Sequence, residues 1–300
     1  MAVFNGATNL QEQLESFDAQ TYSNWSLFVS DDGSEDDTPQ ILAEFRRSHP
    51  DREIILVEGP RKGFAQNFLS ALRRLPKRDR WVAFSDQDDV WLSDRLERGM
   101  AALQCGDETQ PALYCSRTWI TDANLGNRRM SLPRNRPAGF RNALVQNIAA
   151  GNTILLNPVA SELVCLAAQE VGCVVAHDWW CYQLISGADG RVVHDTKPTL
   201  LYRQHADNEI GANDSFAARV QRAIMIISGQ YQKWNDINSA AMHASYQRLS
   251  TENQRCLDHF DKMRRSGPLL ALYDMWRMGL YRQTTVSTCA LGLAVLLKKF

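Results

Sequence analysis

The chain has 300 residues, 44% of them hydrophobic, which allows one large domain or two modest ones around a sizeable core. Its formal net charge of −1 offers no overall field for nucleic acid, which argues against a nucleic-acid partner. Seven scattered cysteines with no Cys-x-x-Cys pair fit reduced thiols in the cytoplasm rather than a disulfide framework or a zinc site.

The opening Met1-Ala2-Val3-Phe4-Asn5-Gly6 lacks the basic and long apolar regions of a signal peptide. No run of about 18 apolar residues indicates a spanning helix. Met1 to Phe4 reads as the stub of a first strand, short enough to suggest that the chain begins late. Asn5-Gly6 is a turn signal, and Thr8 or Asn9 can cap a helix with Leu10, Leu14 and Phe17 on one face. Trp25 to Val29 reads as a second strand, ending at Ser30-Asp31-Asp32-Gly33-Ser34. Thr38-Pro39 predicts an N-cap followed by proline at the first helical position, with Ile41, Leu42 and Phe45 inward. Glu53 to Val57 is a third strand, and Gly59 to Gly63 a tight basic loop. A helix follows, with Phe64, Phe68, Leu72 and Leu75 at helical spacing. The short apolar run Trp81-Val82-Ala83-Phe84 is the fourth strand.

Directly after it stands Ser85-Asp86-Gln87-Asp88-Asp89-Val90-Trp91, with three carboxylates in four residues. Acidic groups at a strand's C-terminal end sit where open α/β sheets bind ligands. Holding like charges together is costly unless a cation compensates. Mg²⁺ or Mn²⁺ suits the task, because hard cations take oxygen ligands and bridge carboxylates to a substrate's phosphates. Four alternations of strand and helix predict βαβ units in a parallel sheet, which would bring Asp31 and Asp32 to the same edge as Asp86, Asp88 and Asp89. No Gly-x-Gly-x-x-Gly follows the first strand and no Walker A sequence is present, which argues against dinucleotide and P-loop sites.

Past residue 105 the pattern changes. Ala112 to Ile120 reads as a strand, and Asp122 to Gly139, with four arginines and two prolines, as a long exposed loop. Phe140 to Gln146 reads as a short helix, Gly151 to Leu156 as a strand and Ser161 to Gln169 as a helix. His177-Asp178-Trp179-Trp180 leads into another helix. Arg191 to His194 and Leu200 to Gln204 read as short strands, and the chain is helical with basic faces from about Phe216 onward.

In that order, Met1-Ala2-Val3-Phe4-Asn5-Gly6, Ser30-Asp31-Asp32-Gly33-Ser34, Gly63-Phe64-Ala65-Gln66-Asn67-Phe68 and Ser85-Asp86-Gln87-Asp88-Asp89 are similar to the family 2 glycosyltransferases. Ala150-Gly151-Asn152-Thr153, His177-Asp178-Trp179-Trp180 and Tyr202-Arg203-Gln204-His205 continue the resemblance, which covers roughly residues 1 to 212 and points to a rhamnosyltransferase-like subgroup of bacterial surface-polysaccharide assembly. It implies an α/β GT-A fold with a mainly parallel central sheet over residues 1–212 and a helical extension over 213–300. It implies an inverting, metal-dependent enzyme that moves a sugar from a UDP- or dTDP-sugar to a hydroxyl of a growing glycan, cytoplasmic or peripheral at the inner face of the plasma membrane.

The resemblance also implies roles. Phe4 and Asn5 would line the nucleotide base, with an aromatic stack from Phe4, where relatives often have tyrosine; Asp32 would accept a hydrogen bond from the base. If residues before Met1 are missing, that pocket is incomplete. Asp86 would contact the ribose, or the metal through water, and Asp88 would bind the metal. Asp89 receives no primary role: a supporting or helix-capping acid. Arg61 and Lys62 could approach the diphosphate or remain solvated loop charges. Asp178 would be the base that deprotonates the acceptor hydroxyl, with His177 at most positioning it and Trp179 and Trp180 offering flat surface to a sugar ring; the alternative is that Asp178 caps the helix and the tryptophans fill the core. Arg203 would contact the donor's diphosphate, and His205 would be a further metal ligand.

Two other classes stay open at this point: a nucleotidyltransferase, which would need no Asp178, and a non-catalytic relative that binds glycan or a partner enzyme. Specificity is expected in the 122–139 loop and around Gly151. The tail over 268–300 carries Leu269, Leu272, Trp276 and Leu280 beside Arg277, Arg282, Lys298 and Lys299. It could lie on an anionic membrane near a lipid-linked glycan acceptor, pack on the catalytic domain or form a dimer contact.

Overall fold

Short apolar strands and amphipathic helices alternate through the first hundred residues, and the computed structural model, which describes residues 1–76, 79–204 and 229–300, shows how they assemble. Strands β1 (Ala2–Val3), β2 (Leu27–Asp31) and β3 (Ile54–Glu58) form a parallel sheet in that order. Helices α1 (Ala7–Asp18) and α2 (Thr38–Ser48) are its crossovers, and α3 (Phe64–Arg74) follows β3. Leu10, Leu14, Phe17, Leu42 and Phe45 are buried, as their spacing requires; Ile41 is only half-buried. Both helices start earlier than their cap signals suggest, at Gly6 and Asp37. Thr38 is drawn from capping because its hydroxyl accepts the Gly6 N–H at 2.8 Å, tying the loop after β1 to the loop after β2. Asn67 on α3 donates to the carbonyls of Ser30 (2.9 Å) and Val3 (3.3 Å), which fixes the ends of both strands.

The fourth strand departs from the expected single parallel sheet. Strand β4 (Val82–Ala83) belongs to a second sheet ordered β4-β8-β6-β9-β5, with β7 (Arg129–Met130) paired to β6. Here β5 is Val90–Trp91, β6 Ala112–Thr121, β8 Leu155–Leu156 and β9 Arg191–Arg203. Only β6 and β9 pair in parallel; β4–β8, β6–β8, β6–β7 and β5–β9 are antiparallel. The long β6 ladders neighbours on both edges, whereas β1 and β4 have two residues each and form no ladder with one another. The two short strands expected at 191–194 and 200–204 are one strand, β9, whose register against β6 shifts around Arg117. The expected exposed loop over 122–139 contains β7, and the expected strand over 151–156 begins with a 3₁₀ turn at Gly151–Thr153.

Strand β6 is buried on both faces. Leu113 and Cys115 enter one apolar cluster, and Ala112 and Tyr114 the other, as a period of two demands. The second cluster gathers α1, α2 and α4 (Arg95–Gln104). The first gathers α3, α5 (Phe140–Ala143), α6 (Pro158–Ala168) and α7 (His177–Gly187). Helices α8 (Gln230–Ala244), α9 (Thr251–Arg265), α10 (Pro268–Arg277) and α11 (Thr285–Leu296) share that first cluster through Met242, Leu257, Phe260, Met275 and Leu291. The boundary expected at 212/213 lies outside the described residues.

At the start of α4, Arg95 is 2% exposed. Its guanidinium lies 3.6 Å from the centre of the Trp91 ring and donates to the carbonyls of Asn152 (2.6 Å) and Phe84 (3.2 Å). Burial pulls its pKa down to about 9, against the opposing fields of Tyr114, Asp89 and Asp86. Arg95 is thus a buried cation beneath the acidic segment. Arg95→Met should lower stability by about 3 kcal/mol or more, because it leaves buried carboxylates uncompensated. Thermal unfolding should show a fall in Tm of roughly 10 °C; an unchanged Tm would mean that the acids do not depend on it.

Candidate active site

The loop after β1 is built by bonds to distant segments. Asn5 adopts a left-handed backbone (φ 47°), its N–H donates to Ser34 Oγ (2.9 Å), and its side-chain oxygen accepts from Glu35 N–H (2.8 Å). Gln87 joins this loop to the acidic segment: its Oε1 accepts Phe4 N–H at 2.7 Å and its Nε2 donates to Phe4 O at 2.9 Å. A Cβ on Gly6 would lie 2.5 Å from the Gln87 side chain, so only glycine leaves room for this bridge. Phe4 is 55% exposed, which sets aside core packing as its role. Both acids after β2 are engaged. Asp31 accepts from Gly33 and Ser34, while Asp32 takes the Arg61 N–H (2.6 Å) on one oxygen and the Gly63 N–H (2.8 Å) on the other. Arg61 and Lys62 themselves are exposed.

The acids after β4 separate by burial. Asp86 and Asp88 are half-buried, whereas Asp89 is fully buried. Burial, then the fields of Asp88 and Asp178, push Asp86 up to about 7. Burial, then Asp88 and Asp86, push Asp89 well above the usual carboxylate range. Asp89 accepts from Asn152 Nδ2 (2.6 Å) and from Arg203 N–H (3.3 Å), so it ties the 3₁₀ turn and the end of β9 to the acidic segment.

Asp178 stands in the first turn of α7. Its carboxylate accepts from Trp179 N–H (2.6 Å) and Gly151 N–H (3.1 Å). Burial raises it to about 6, although these bonds and one from Asn147 pull the other way. His177 is 3% exposed, stacks on Phe68 at 3.7 Å and is pushed down to about 3 by burial. Neither of its ring nitrogens has a hydrogen-bond partner among the described residues. Gly151 is required beside it, since a Cβ there would lie 2.8 Å from His177 Nε2. Trp179 and Trp180 do not offer a face to a sugar. Trp180 is fully buried, and the Trp179 indole N–H donates to Ala143 O at 2.7 Å within the core. For the tryptophans the core-filling alternative holds.

Arg203 is brought to the site, but it is buried, with its guanidinium directed at the Asp88 carbonyl (2.9 Å), the Ala123 carbonyl and the Glu12 carboxylate. In that pose it holds the backbone of the acidic segment. His205, the expected further metal ligand, lies outside the described residues.

Residues 1–154 match the family described as Glycosyl transferase family 2. The chain belongs to glycosyl transferase family 2. It is 30% identical to the dTDP-rhamnosyl transferase RfbG of Shigella flexneri over 78% of this chain and 81% of that protein. It is 35% identical to the UDP-Glc:alpha-D-GlcNAc-diphosphoundecaprenol beta-1,3-glucosyltransferase WfgD of Escherichia coli over 32% of this chain and 36% of that protein. In fold it is similar to the mannosyltransferase PcManGT from Pyrobaculum calidifontis, solved with GDP-Man and Mn²⁺: TM-score 0.52, 19% identity, 99% of this chain and 84% of that one. The S. aureus TarS 1-349 structure matches with TM-score 0.50, 16% identity, 92% of this chain and 79% of that one. The chain is therefore a nucleotide-sugar glycosyltransferase of GT-A fold with C-terminal helices, and nucleotidyl transfer falls away.

Among the described residues of this family 2 transferase no group of three or more His, Cys, Asp or Glu side chains forms a ready metal cage. Mg²⁺ and Mn²⁺ can be held by one or two carboxylates together with a substrate's phosphates, and Asp86 and Asp88 are a donor set of that kind. Burial first, and then the fields of Asp88 and Asp178, raise the pKa of Asp86 there. Gln87, Arg95, Asn147 and Asn152 received no role from sequence. Gln87 and Asn152 carried a signal, their places inside the acidic segment and the Ala150–Thr153 motif; Arg95 and Asn147 act through bonds to residues far along the chain.

Two outcomes follow for the transferase. Gln87→Ala removes both bonds to Phe4, which should weaken nucleoside diphosphate binding several-fold in calorimetry while costing only about 1 kcal/mol of stability. Asp86→Asn should melt a few degrees above the parent at pH 8 in EDTA. A folded-state pKa of about 7, above the unfolded value, favours folding at low pH and loses that contribution as pH rises through 7. The gap should therefore narrow in thermal melts as pH falls below 7 and close near the unfolded carboxylate's own pKa of about 4; a gap that widens on acidification would contradict the assignment.

Proposed function

We propose that this chain is an inverting, metal-assisted transferase that moves a sugar from a UDP- or dTDP-sugar to a hydroxyl of a bacterial surface glycan. The observation that carries the reading is Asp178. It sits at a helix start, raised to about 6 by burial, and its field reaches Asp86. A base poised near neutrality beside a diphosphate-binding acid pair is what acceptor deprotonation needs. The carboxylate would take the proton from the acceptor hydroxyl as the oxygen bonds to the anomeric carbon. The bond from that carbon to the diphosphate breaks on the opposite side, so configuration inverts. Bonds from Gly151 and Trp179 would hold the base in position.

On the donor side, exposed Phe4 would stack on the base, with Asn5 shaping the loop that presents it. Asp32 would accept the base N–H through a lone pair left beside its two backbone bonds. Asp86 would meet the ribose or a metal-bound water. Asp88, and His205 if it reaches, would hold Mg²⁺ or Mn²⁺, which when bound neutralises charge on the leaving diphosphate. Arg203 would act chiefly by fixing the Asp88 backbone, and through it the diphosphate. Likeness to a dTDP-rhamnosyl transferase over most of both chains supports a dTDP-sugar donor. The name of the Escherichia coli relative supports a lipid-linked glycan acceptor.

Calorimetric titration with UDP, dTDP and GDP, each with Mn²⁺ and with EDTA, tests the donor site. One diphosphate should bind only with metal, and Asp88→Ala should abolish that binding; binding indifferent to metal would overturn the assignment. Asp178→Asn should keep diphosphate affinity while lowering kcat by about 10²- to 10⁴-fold. In the parent, kcat/KM should rise with pH and level off above about 6, because the base works deprotonated. A profile flat from pH 5 to 8 would remove Asp178 from the base role.

A further inference from the structure

Exposed large hydrophobic side chains are concentrated in one region of the described molecule. Four stand on α10 (Leu269, Leu270, Tyr273 and Trp276) and three on or just past α11 (Val286, Leu293 and Leu297). The two helices pack on each other, with Leu272 and Met275 against Gly292. Their inner sides, including Ala271, Met275, Leu291 and Val295, are in the core. The outer sides are apolar as well: Leu269, Tyr273 and Trp276 recur at helical spacing, as do Val286, Leu293 and Leu297. A helix apolar all round belongs in a core or in lipid, yet half of each meets solvent here.

Within the segment that carries these faces the exposed charges have one sign. From Ser266 to Phe300 the chain carries Arg277, Arg282, Lys298 and Lys299 against one acid, Asp274. Asp274 is buried and faces His259 at 3.4 Å, whereas Arg277, Lys298 and Lys299 are exposed. That segment is basic on a chain of net charge −1.

We propose that α10 and α11 form a surface that lies on an anionic lipid bilayer. Leu269, Leu293 and Leu297 enter the acyl boundary, Tyr273 and Trp276 sit at its edge, and Arg277, Lys298 and Lys299 meet the headgroups. Helices of 10 and 12 residues lie on a bilayer rather than cross it, since crossing needs about 20. Among the described residues no helix is long and apolar enough to cross a membrane. A second copy fits the face less well. Two-fold symmetry would set the same cations against one another, with no exposed acid between 266 and 300 to meet them. Neither helix contributes a residue to the acidic pocket, so the two surfaces are separable by mutation.

The test is flotation of the full chain with vesicles of phosphatidylcholine alone and of phosphatidylcholine with phosphatidylglycerol. The parent should float with the anionic vesicles, far less with the neutral ones, and less as salt rises. Trp276→Ser with Leu293→Ser, and separately Lys298→Glu with Lys299→Glu, should each weaken vesicle binding about tenfold or more. Circular dichroism and nucleoside diphosphate binding should stay unchanged. Failure of the parent to float with anionic vesicles overturns the proposal without reference to any variant. Equal binding by parent and both variants does so too. A concentration-dependent dimer lost in Trp276→Ser with Leu293→Ser would assign the face to a second copy instead.

Discussion

Carboxylates crowded at one point govern this structure. Asp86, Asp88, Asp89 and Asp178 come close enough for their fields to overlap, and burial lifts Asp86, Asp89 and Asp178 above the usual carboxylate range. Such a group disperses or takes up protons unless something opposes it. Buried Arg95, the amide of Asn152 and the backbone N–H groups of Gly151, Trp179 and Arg203 do so here. At Asp86 burial and the fields of Asp88 and Asp178 outweigh that opposition, and the proposed cation and diphosphate would relieve the repulsion.

Very short strands and tight loops build that point. β1 and β4 contribute two residues each, so the segments following them are held by side chains rather than by ladders. Gln87 clasps the backbone of Phe4, Asp32 clasps the 61–63 loop, and Asp89 joins the 3₁₀ turn to β9. Asp89 is the most buried of the acids and the one least exposed to any ligand. Its work is to set the backbone from which Asp86 and Asp88 project.

The C-terminal helices are part of the same body. They share an apolar cluster with α7, and Trp234 of α8 packs edge-on against Trp179, the residue after Asp178. The helix that carries the proposed base is therefore held from the sheet side and from the extension. A membrane contact through α10 and α11 would orient the acidic pocket relative to the bilayer, because both helices contribute side chains to that shared core.

Much of this was legible in the chain alone. Apolar periodicity named the first four strands and the faces of α1 to α3, since spacing along a helix or strand decides which side chains share a side. The acidic run after Trp81–Phe84 named the candidate site, because strand ends are where such groups can gather. Tertiary structure decided the rest. Whether Trp179 and Trp180 face a ligand or the core depends on what covers α7, and spacing carries no record of that. Pairing of β4 with β8 rather than with β1 depends on the long β6, more than two dozen residues away. Arg203 turns its guanidinium to Asp88, 115 positions earlier, and Gln87 reaches Phe4 across 83. Local pattern sets what a segment can become, and contacts between distant segments set what each side chain meets.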